Sequence, residues 1–242
     1  MVNESVTINY SVPAALAAAN PGTAILPLDD PAFAAYGRIL DGLRAEELLE
    51  LADRTTSVNP EGNVYVPGVP EFEALACVRN FVPVFGGMPV QVGYCNGPNR
   101  TMNGLEYHKT PELCAAVTES VLFLCPYTAL RNFDTCDTSA ASVFYIPRGA
   151  VFVLDPLVLH LSPCAARREG FKMIIVLPRG TNLPLEDGIS AAASPEGDPE
   201  SRLLFKFNKW MIAHPERTQL TSQGVHPGLL GENRCINPAG LD

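Results

Sequence analysis

Positive charge is in short supply in this chain. Lysine and arginine together number 17 against 26 aspartates and glutamates in 242 residues, a formal charge of −9. A nucleic acid or an anionic membrane would meet a repulsive field, so neither is expected as a main partner. The densest basic run, Arg167-Arg168, is too short to make a binding stripe. Long apolar runs are also lacking. Residues 12–19, VPAALAAA, fall well short of the ~20 residues a membrane helix needs, and no basic residues precede them as in a secretory signal. The seven cysteines form no Cys-x-x-Cys pair, and their number is odd. That pattern leads to the expectation of a reduced, cytoplasmic protein whose cysteines are mostly small apolar fillers. Histidine occurs four times and tryptophan once, so each of these residues is informative where it falls in a patterned segment.

Apolar residues, at 47%, are ample for a core, and the length fits one large domain. Residues 1–79 read as an arm followed by a helix that packs on the main body. VTINYSV, residues 6–12, alternates as a strand would, and NPG with Pro27 breaks what precedes. Asp30 fits an N-cap with Pro31 in the first turn, and Phe33, Tyr36, Leu40, Leu43, Leu48 and Leu51 recur near helical spacing. A single helix is therefore expected from Asp30 to about Arg54. From residue 80 to about 180 the pattern changes to short apolar runs between turns. Strands are expected over 80–85, 88–94, 103–109, 112–117, 120–125, 142–147, 150–154, 157–162 and 171–177, the mark of a mostly β sandwich or barrel. Residues 181–242 form a C-terminal extension. In it, AAASPEGDP (191–199) reads as a loop and RLLFKFNKWMIAH as a packed segment of either helix or strand type.

One stretch stands out for its chemistry: NGLEYHKTPE, residues 103–112. Residues two apart in a strand point to the same face, so Glu106 and His108 project together. Lys109-Thr110-Pro111 reads as a turn that brings Glu112 back beside them. A fourth group must come from elsewhere, and His160 in LVLHLSPC is the candidate, since alternation sets it opposite Leu159 and Leu161. Two imidazoles and two carboxylates suit Mn, Fe, Co, Ni or Zn better than Ca or Mg.

The same residues carry a resemblance. Glu106-x-His108, three residues, then Glu112 is similar to the first metal motif of the cupins, with Glu in place of the first His. Pro147-x-Gly149 and His160 resemble the second motif, with a longer gap than usual. GYCNGPNRTMNGLEYHKTPE, LHLSPC, VLPRGTN and NKWMIAHPE more specifically resemble the bacterial cupin family DUF4867. The resemblance implies a cupin-type double-stranded β-helix, a jelly-roll barrel, with an N-terminal helix and a C-terminal extension. It implies a divalent transition metal and a metal-dependent sugar isomerase that interconverts an aldose and a ketose through an enediol. An acidic sugar such as sulfoquinovose is among the substrates it suggests. An epimerase, a cupin dioxygenase and a non-catalytic sugar-binding cupin are the alternatives.

For that chemistry Glu106, His108, Glu112 and His160 are the expected metal ligands. Glu112, Lys172 and Lys109 are candidate bases. FKMIIVL alternates, so Lys172 shares a face with Ile174 and Val176; if that face lines the barrel, desolvation lowers the lysine's pKa. Gln91, Tyr94, Asn96, Asn103, Asn208 and Lys209 are candidate sugar contacts, with Trp210 available to cover a sugar face. A homodimer in which the N-terminal arms pair with a neighbouring sheet is the expected assembly.

Overall fold

A computed structural model describes residues 8–186 and 198–240. Its frame is two sheets that face each other across one apolar core. The larger sheet has the strand order Gly37–Ile39, Val151–Leu154, Glu112–Ala116, Phe171–Pro178, Val90–Gly97, Val64–Val66, antiparallel throughout. The smaller runs Ile25–Pro27, Ser142–Ile146, Ser120–Leu124, Cys164–Ala165, with only the first pair parallel. This is a mostly β arrangement of two packed sheets, as expected from the short apolar runs.

Alternation explains why the strands pack as they do. Along Ser120–Leu124, Leu122 and Leu124 enter the space between the sheets while Val121 and Phe123 face outward. Phe144 and Ile146 do the same on the neighbouring strand, opposite Val143 and Tyr145. On the larger sheet Cys114, Ala116, Phe152, Leu154, Met173, Ile175 and Leu177 point inward. Their alternate neighbours Leu113, Ala115, Val151, Val153, Ile174 and Val176 are no less buried. They pack outward under the helix Glu46–Thr55 and the short helical segments around Phe72, Phe81 and Phe85. Both faces of each sheet are thus covered, which is why these strands read as continuous apolar runs rather than as half-polar ones.

A third, smaller sheet carries the chemistry. The hairpin Leu204–Lys206 and Lys209–Ala213 pairs antiparallel with Gly104–Tyr107. This resolves RLLFKFNKWMIAH as a strand hairpin from Leu204 onward, its first two residues ending the 3-10 turn Pro199–Leu203. Isolated bridges from Glu106 to His160 and from Cys125 to Leu159 then tie this sheet to the smaller main sheet.

Several expectations are corrected. The helix expected from Asp30 to Arg54 is three elements: a 3-10 turn Pro31–Ala35, the edge strand Gly37–Ile39, and a helix Glu46–Thr55. Asp30 does cap the first of these, accepting from the Ala32 amide at 2.8 Å. Gly37 ends the turn because it packs flat on the Val153 carbonyl, where a Cβ would lie 1.8 Å from the oxygen. The strand expected over 80–85 is a pair of 3-10 turns, Ala76–Asn80 and Val82–Phe85, the second with Pro83 inside it. The segment expected as strand 157–162 contributes only the bridges of Leu159 and His160. Of the expected N-terminal strand, residues 8–12 are not extended into any sheet, and residues 1–7 lie outside the described residues. The expected loop 191–199 lies mostly outside them as well.

Candidate metal centre

Glu106 is the penultimate residue of the strand Gly104–Tyr107, and His108 follows that strand directly. His160 lies across from Glu106 in the bridged pair, its amide donating to the Glu106 carbonyl at 2.9 Å. Glu112 opens the strand Glu112–Ala116, with its inward direction set by alternation with Cys114 and Ala116. A turn at 109–111 joins the two walls. The four side chains converge and all are buried. Ligand atoms of Glu106, His108 and His160 lie within 4.8 Å of one another. Glu112 Oε2 is 3.3 Å from His108 Nε2 and 3.4 Å from His160 Nε2, and Glu106 Oε1 is 4.0 Å from His108 Nε2.

The imidazoles are oriented by their other nitrogens. His108 Nδ1 meets the Asn208 carbonyl at 2.6 Å, and His160 Nδ1 meets the Val158 carbonyl at 2.9 Å. A carbonyl only accepts, so each Nδ1 carries the proton and each Nε2 is directed into the cluster. Backbone support of this kind sets tautomer and ring angle at metal-ligating histidines. His108 Nε2 is then a buried lone pair with no hydrogen-bond partner among the described residues, facing carboxylate oxygens. Acceptors that face one another in a dry site require a cation between them. Separations near 3.3–4.0 Å fit neighbouring ligands of one ion held at about 2.0–2.2 Å. The cluster therefore fits a divalent transition metal.

Burial opposes ionisation of Glu106, but the Lys209 ammonium and the two imidazoles outweigh it and hold the carboxyl below its ordinary range. Lys209 forms an ion pair with Glu106 Oε2. Burial likewise opposes charge on Glu112, and His160 with His108 overrides it, so this carboxyl is also lowered. At His160 burial works against the proton, yet Glu112 and then Glu106 prevail and raise the imidazole.

A cavity of about 110 Å³ opens onto Glu106, Glu112 and His160. Its wall is largely apolar, with Leu122, Leu154, Met173 and Ile175 together with Cys95 and Cys114. Lys209, Tyr65, Asn182 and Ser162 add polar groups. Cys114 Sγ lies 3.4 Å from Glu112 Oε1 as a donor, leaving Oε2 to the imidazoles.

Other expected site residues are placed elsewhere. The face shared by Lys172, Ile174 and Val176 is the outer face of the larger sheet, and Lys172 Nζ pairs with Asp53 at 3.1 Å. Lys109 turns away from the cluster, binds Glu200 at 2.7 Å and lies 4.4 Å over the Trp210 ring. Trp210 itself stacks on Tyr107. Gln91 ties down the Gly180 amide and Thr181 carbonyl, and Tyr94 packs outward against Phe72. Asn96 bonds Thr56 and the Met173 amide. Asn103, at φ 59°, holds a turn with Asn99 and Asn233. Asn208, at φ 53°, serves through its carbonyl to His108, while its side chain accepts from the Lys109 amide. Of the polar contacts expected, Lys209 alone lines the cavity. Tyr65, Asn182 and the thiols of Cys95 and Cys114 carried no motif; only the alternation of Glu112 with Cys114 signalled one of them.

Comparison with known proteins gives one extensive match. The family model described as domain of unknown function DUF4867 matches residues 25–234. No curated protein matches the chain. Among solved structures, a salicylate 1,2-dioxygenase from Pseudaminobacter salicylatoxidans is 10% identical, with 57% of this chain and 32% of that one covered at a TM-score of 0.30. An oxalate decarboxylase from Bacillus subtilis is 12% identical, with 52% and 28% covered at 0.31. The vicilin of Corylus avellana (hazelnut) is 11% identical, with 50% and 30% covered at 0.32. The match spans less than a third of the length of each of these chains.

Proposed function

This chain belongs to the family DUF4867, and from that premise we propose that it is a metal-dependent sugar isomerase interconverting an aldose and a ketose. The observation that carries the reading is the cluster of Glu106, His108 and His160, with Glu112 Oε2 against both imidazoles, opening onto a cavity that Lys209 also lines. Glu106, His108, Glu112 and His160 would hold the ion. A bound divalent ion supplies Lewis-acid polarisation of a carbonyl, which acidifies the neighbouring C–H.

The chain's own groups account for the rest. Aldose–ketose exchange moves one proton between adjacent carbons through an enediol, and it needs a base within hydrogen-bond reach. With Lys172 and Lys109 turned away, Glu112 is the carboxylate left for that role, which it would take by leaving the ion to the other three ligands. Among the described residues no lysine or arginine pairs with it, whereas Lys209 is committed to Glu106. The Lys209 ammonium in the cavity wall would favour negative charge developing on a bound substrate. Lys206 stands near enough to Lys209 that burial and then that neighbour lower its pKa. The Lys209 ammonium in the cavity wall supports the acidic-sugar form of the reading. An epimerase would use the same groups.

The test is exchange in deuterium oxide, followed by NMR, with Mn, Co, Ni or Zn added and a panel of aldoses, ketoses and acid sugars. One deuterium at C1 or C2 of a substrate that also changes carbonyl position is the expected result. Absence of exchange across the panel sinks the reading. The largely apolar cavity wall favours one rival, an iron-dependent dioxygenase. Substrate-dependent oxygen uptake at an electrode would replace isomerisation with that reading.

A further inference from the structure

Asn182 is an exception to the way buried polar groups behave in this molecule. Its Nδ2 donates to Tyr65 Oη at 2.8 Å, and its Oδ1 is buried with no partner among the described residues. Both residues line the cavity that opens onto Glu106, Glu112 and His160. Interchanging the amide oxygen and nitrogen does not remove the anomaly, because one end of the amide is left without a partner in either orientation. A buried acceptor left unmade costs on the order of 1–3 kcal/mol, so such a group in a cavity is accounted for by what enters the cavity.

The backbone shows that the position is built. Asn182 sits at φ 71°, in the left-handed region that asparagine tolerates. Its amide donates to the Phe207 carbonyl at 3.0 Å, on the hairpin that also carries Lys209. Tyr65 comes from the edge strand Val64–Val66, in register with Cys95, another residue of the cavity wall. Tyr65 Oη accepts from Asn182, so its own proton is available to the cavity; among the described residues it donates to nothing. Tyr65 is 38% exposed overall, and the desolvation of its ring with the charges of Glu112 and Glu106 pushes the phenol up, so it keeps its proton. The pair therefore presents one donor, the tyrosine hydroxyl, beside one acceptor, the asparagine oxygen.

We propose that Tyr65 and Asn182 form a hydroxyl-recognising subsite, at which one alcohol group of a polyhydroxylated ligand accepts from Tyr65 Oη and donates to Asn182 Oδ1. Only a group that both gives and takes a hydrogen bond satisfies the two at once, and a hydroxyl is the smallest that does. A methylene at that point leaves both unpaired, so the subsite rejects the deoxy analogue. The inference rests on the isomerase reading for its ligand class, and it adds the residues that select among sugars.

The experiment measures binding apart from turnover. Calorimetric titration of the Mn-loaded protein with the linear hexitols D-glucitol and D-mannitol, and with their monodeoxy analogues, gives affinities directly. Asn182→Gly removes the amide and is at ease at a positive φ; Tyr65→Phe removes the hydroxyl. Each variant is expected to weaken hexitol binding about tenfold, to leave Mn affinity unchanged, and to erase the preference for hexitol over one of its deoxy forms. Hexitol binding that survives both substitutions at wild-type affinity overturns the subsite while leaving the isomerase reading in place. If the wild type binds hexitols and both variants lose them, but no sugar of the panel exchanges deuterium, the subsite stands and isomerisation falls. Failure of the wild type to bind any hexitol removes the subsite.

Discussion

The cluster behaves as a set of charges whose balance can be moved one residue at a time. Lys209 and Glu106 keep side-chain exposures of 15% and 11%, so the pair is largely dry. Lys209→Met leaves a buried carboxylate with less compensation and is expected to cost about 2–3 kcal/mol in the metal-free protein, below the full value for a wholly buried pair. A bound ion restores positive charge at Glu106, so the loss should shrink when Mn is present. Urea unfolding with and without Mn measures both, and equal losses in the two states would contradict the assignment. The pH dependence follows from the same charges. Glu106 and Glu112 lie below the ordinary carboxyl value of 4.5, and His160 lies above the ordinary 6.5. A lowered carboxyl stabilises above its unfolded pKa and loses that contribution as pH falls through its folded one. A raised imidazole stabilises below its unfolded pKa and loses the contribution as pH rises through its folded one. The cluster's contribution to metal-free stability should therefore peak between about pH 4.5 and 6.5. Urea midpoints across pH check this, and His160→Gln should flatten the alkaline arm. Protons and metal compete for the same Nε2, so metal affinity should rise over the range in which stability falls.

At the scale of elements, the site depends on strands that deliver side chains to one cavity. Gly93 lies in the strand Val90–Gly97 where the edge strand Val64–Val66 crosses it closely, and an added Cβ would stand 1.8 Å from the Val66 carbonyl oxygen. Gly93→Ala must push that edge strand outward, and Tyr65 with it. A loss of about 1–3 kcal/mol is expected, together with weaker hexitol binding and intact Mn binding. Thermal melts and titration on the same sample separate the two effects, and a melt at the wild-type temperature would refute the first. Alternation told which residues of an element share a face. It told this correctly for Lys172 with Ile174 and Val176. It did not tell which face is interior, because the larger sheet is covered on both sides and apolar residues line each. That ambiguity is why Lys172 reads from sequence as a barrel residue and stands outside against Asp53. The long helix failed for a related reason: Leu40, Leu43 and Leu48 all pack on the same outer cluster, which mimics helical spacing across the irregular stretch 40–45.

For the molecule as a whole, the metal is expected to act as a fold stabiliser as well as a reagent, since its ligands come from three separate stretches of chain. At a free Mn concentration near a hundred times Kd, linkage gives about 2.7 kcal/mol, which for a chain of this size is a rise of about 5–10 °C in Tm. Chelation should reverse it. His108→Ala or His160→Ala should abolish the response and lower metal affinity by at least about a hundredfold; calorimetry and elemental analysis of purified variants supply the check. The amino-acid order by itself determined the mostly β class, most of the longer strands between 90 and 178, and the clustering of Glu106, His108 and Glu112, because spacing of two and a proline turn are local properties. It also singled out His160 through its scarcity and its opposition to two leucines. Only the tertiary structure decided which lysine stands at the site, that Asn208 acts through its carbonyl, and that Tyr65 and Asn182 meet in the cavity from 117 residues apart. Those contacts are made across sheets rather than along a strand, and no periodicity in one dimension encodes which distant strand becomes a neighbour.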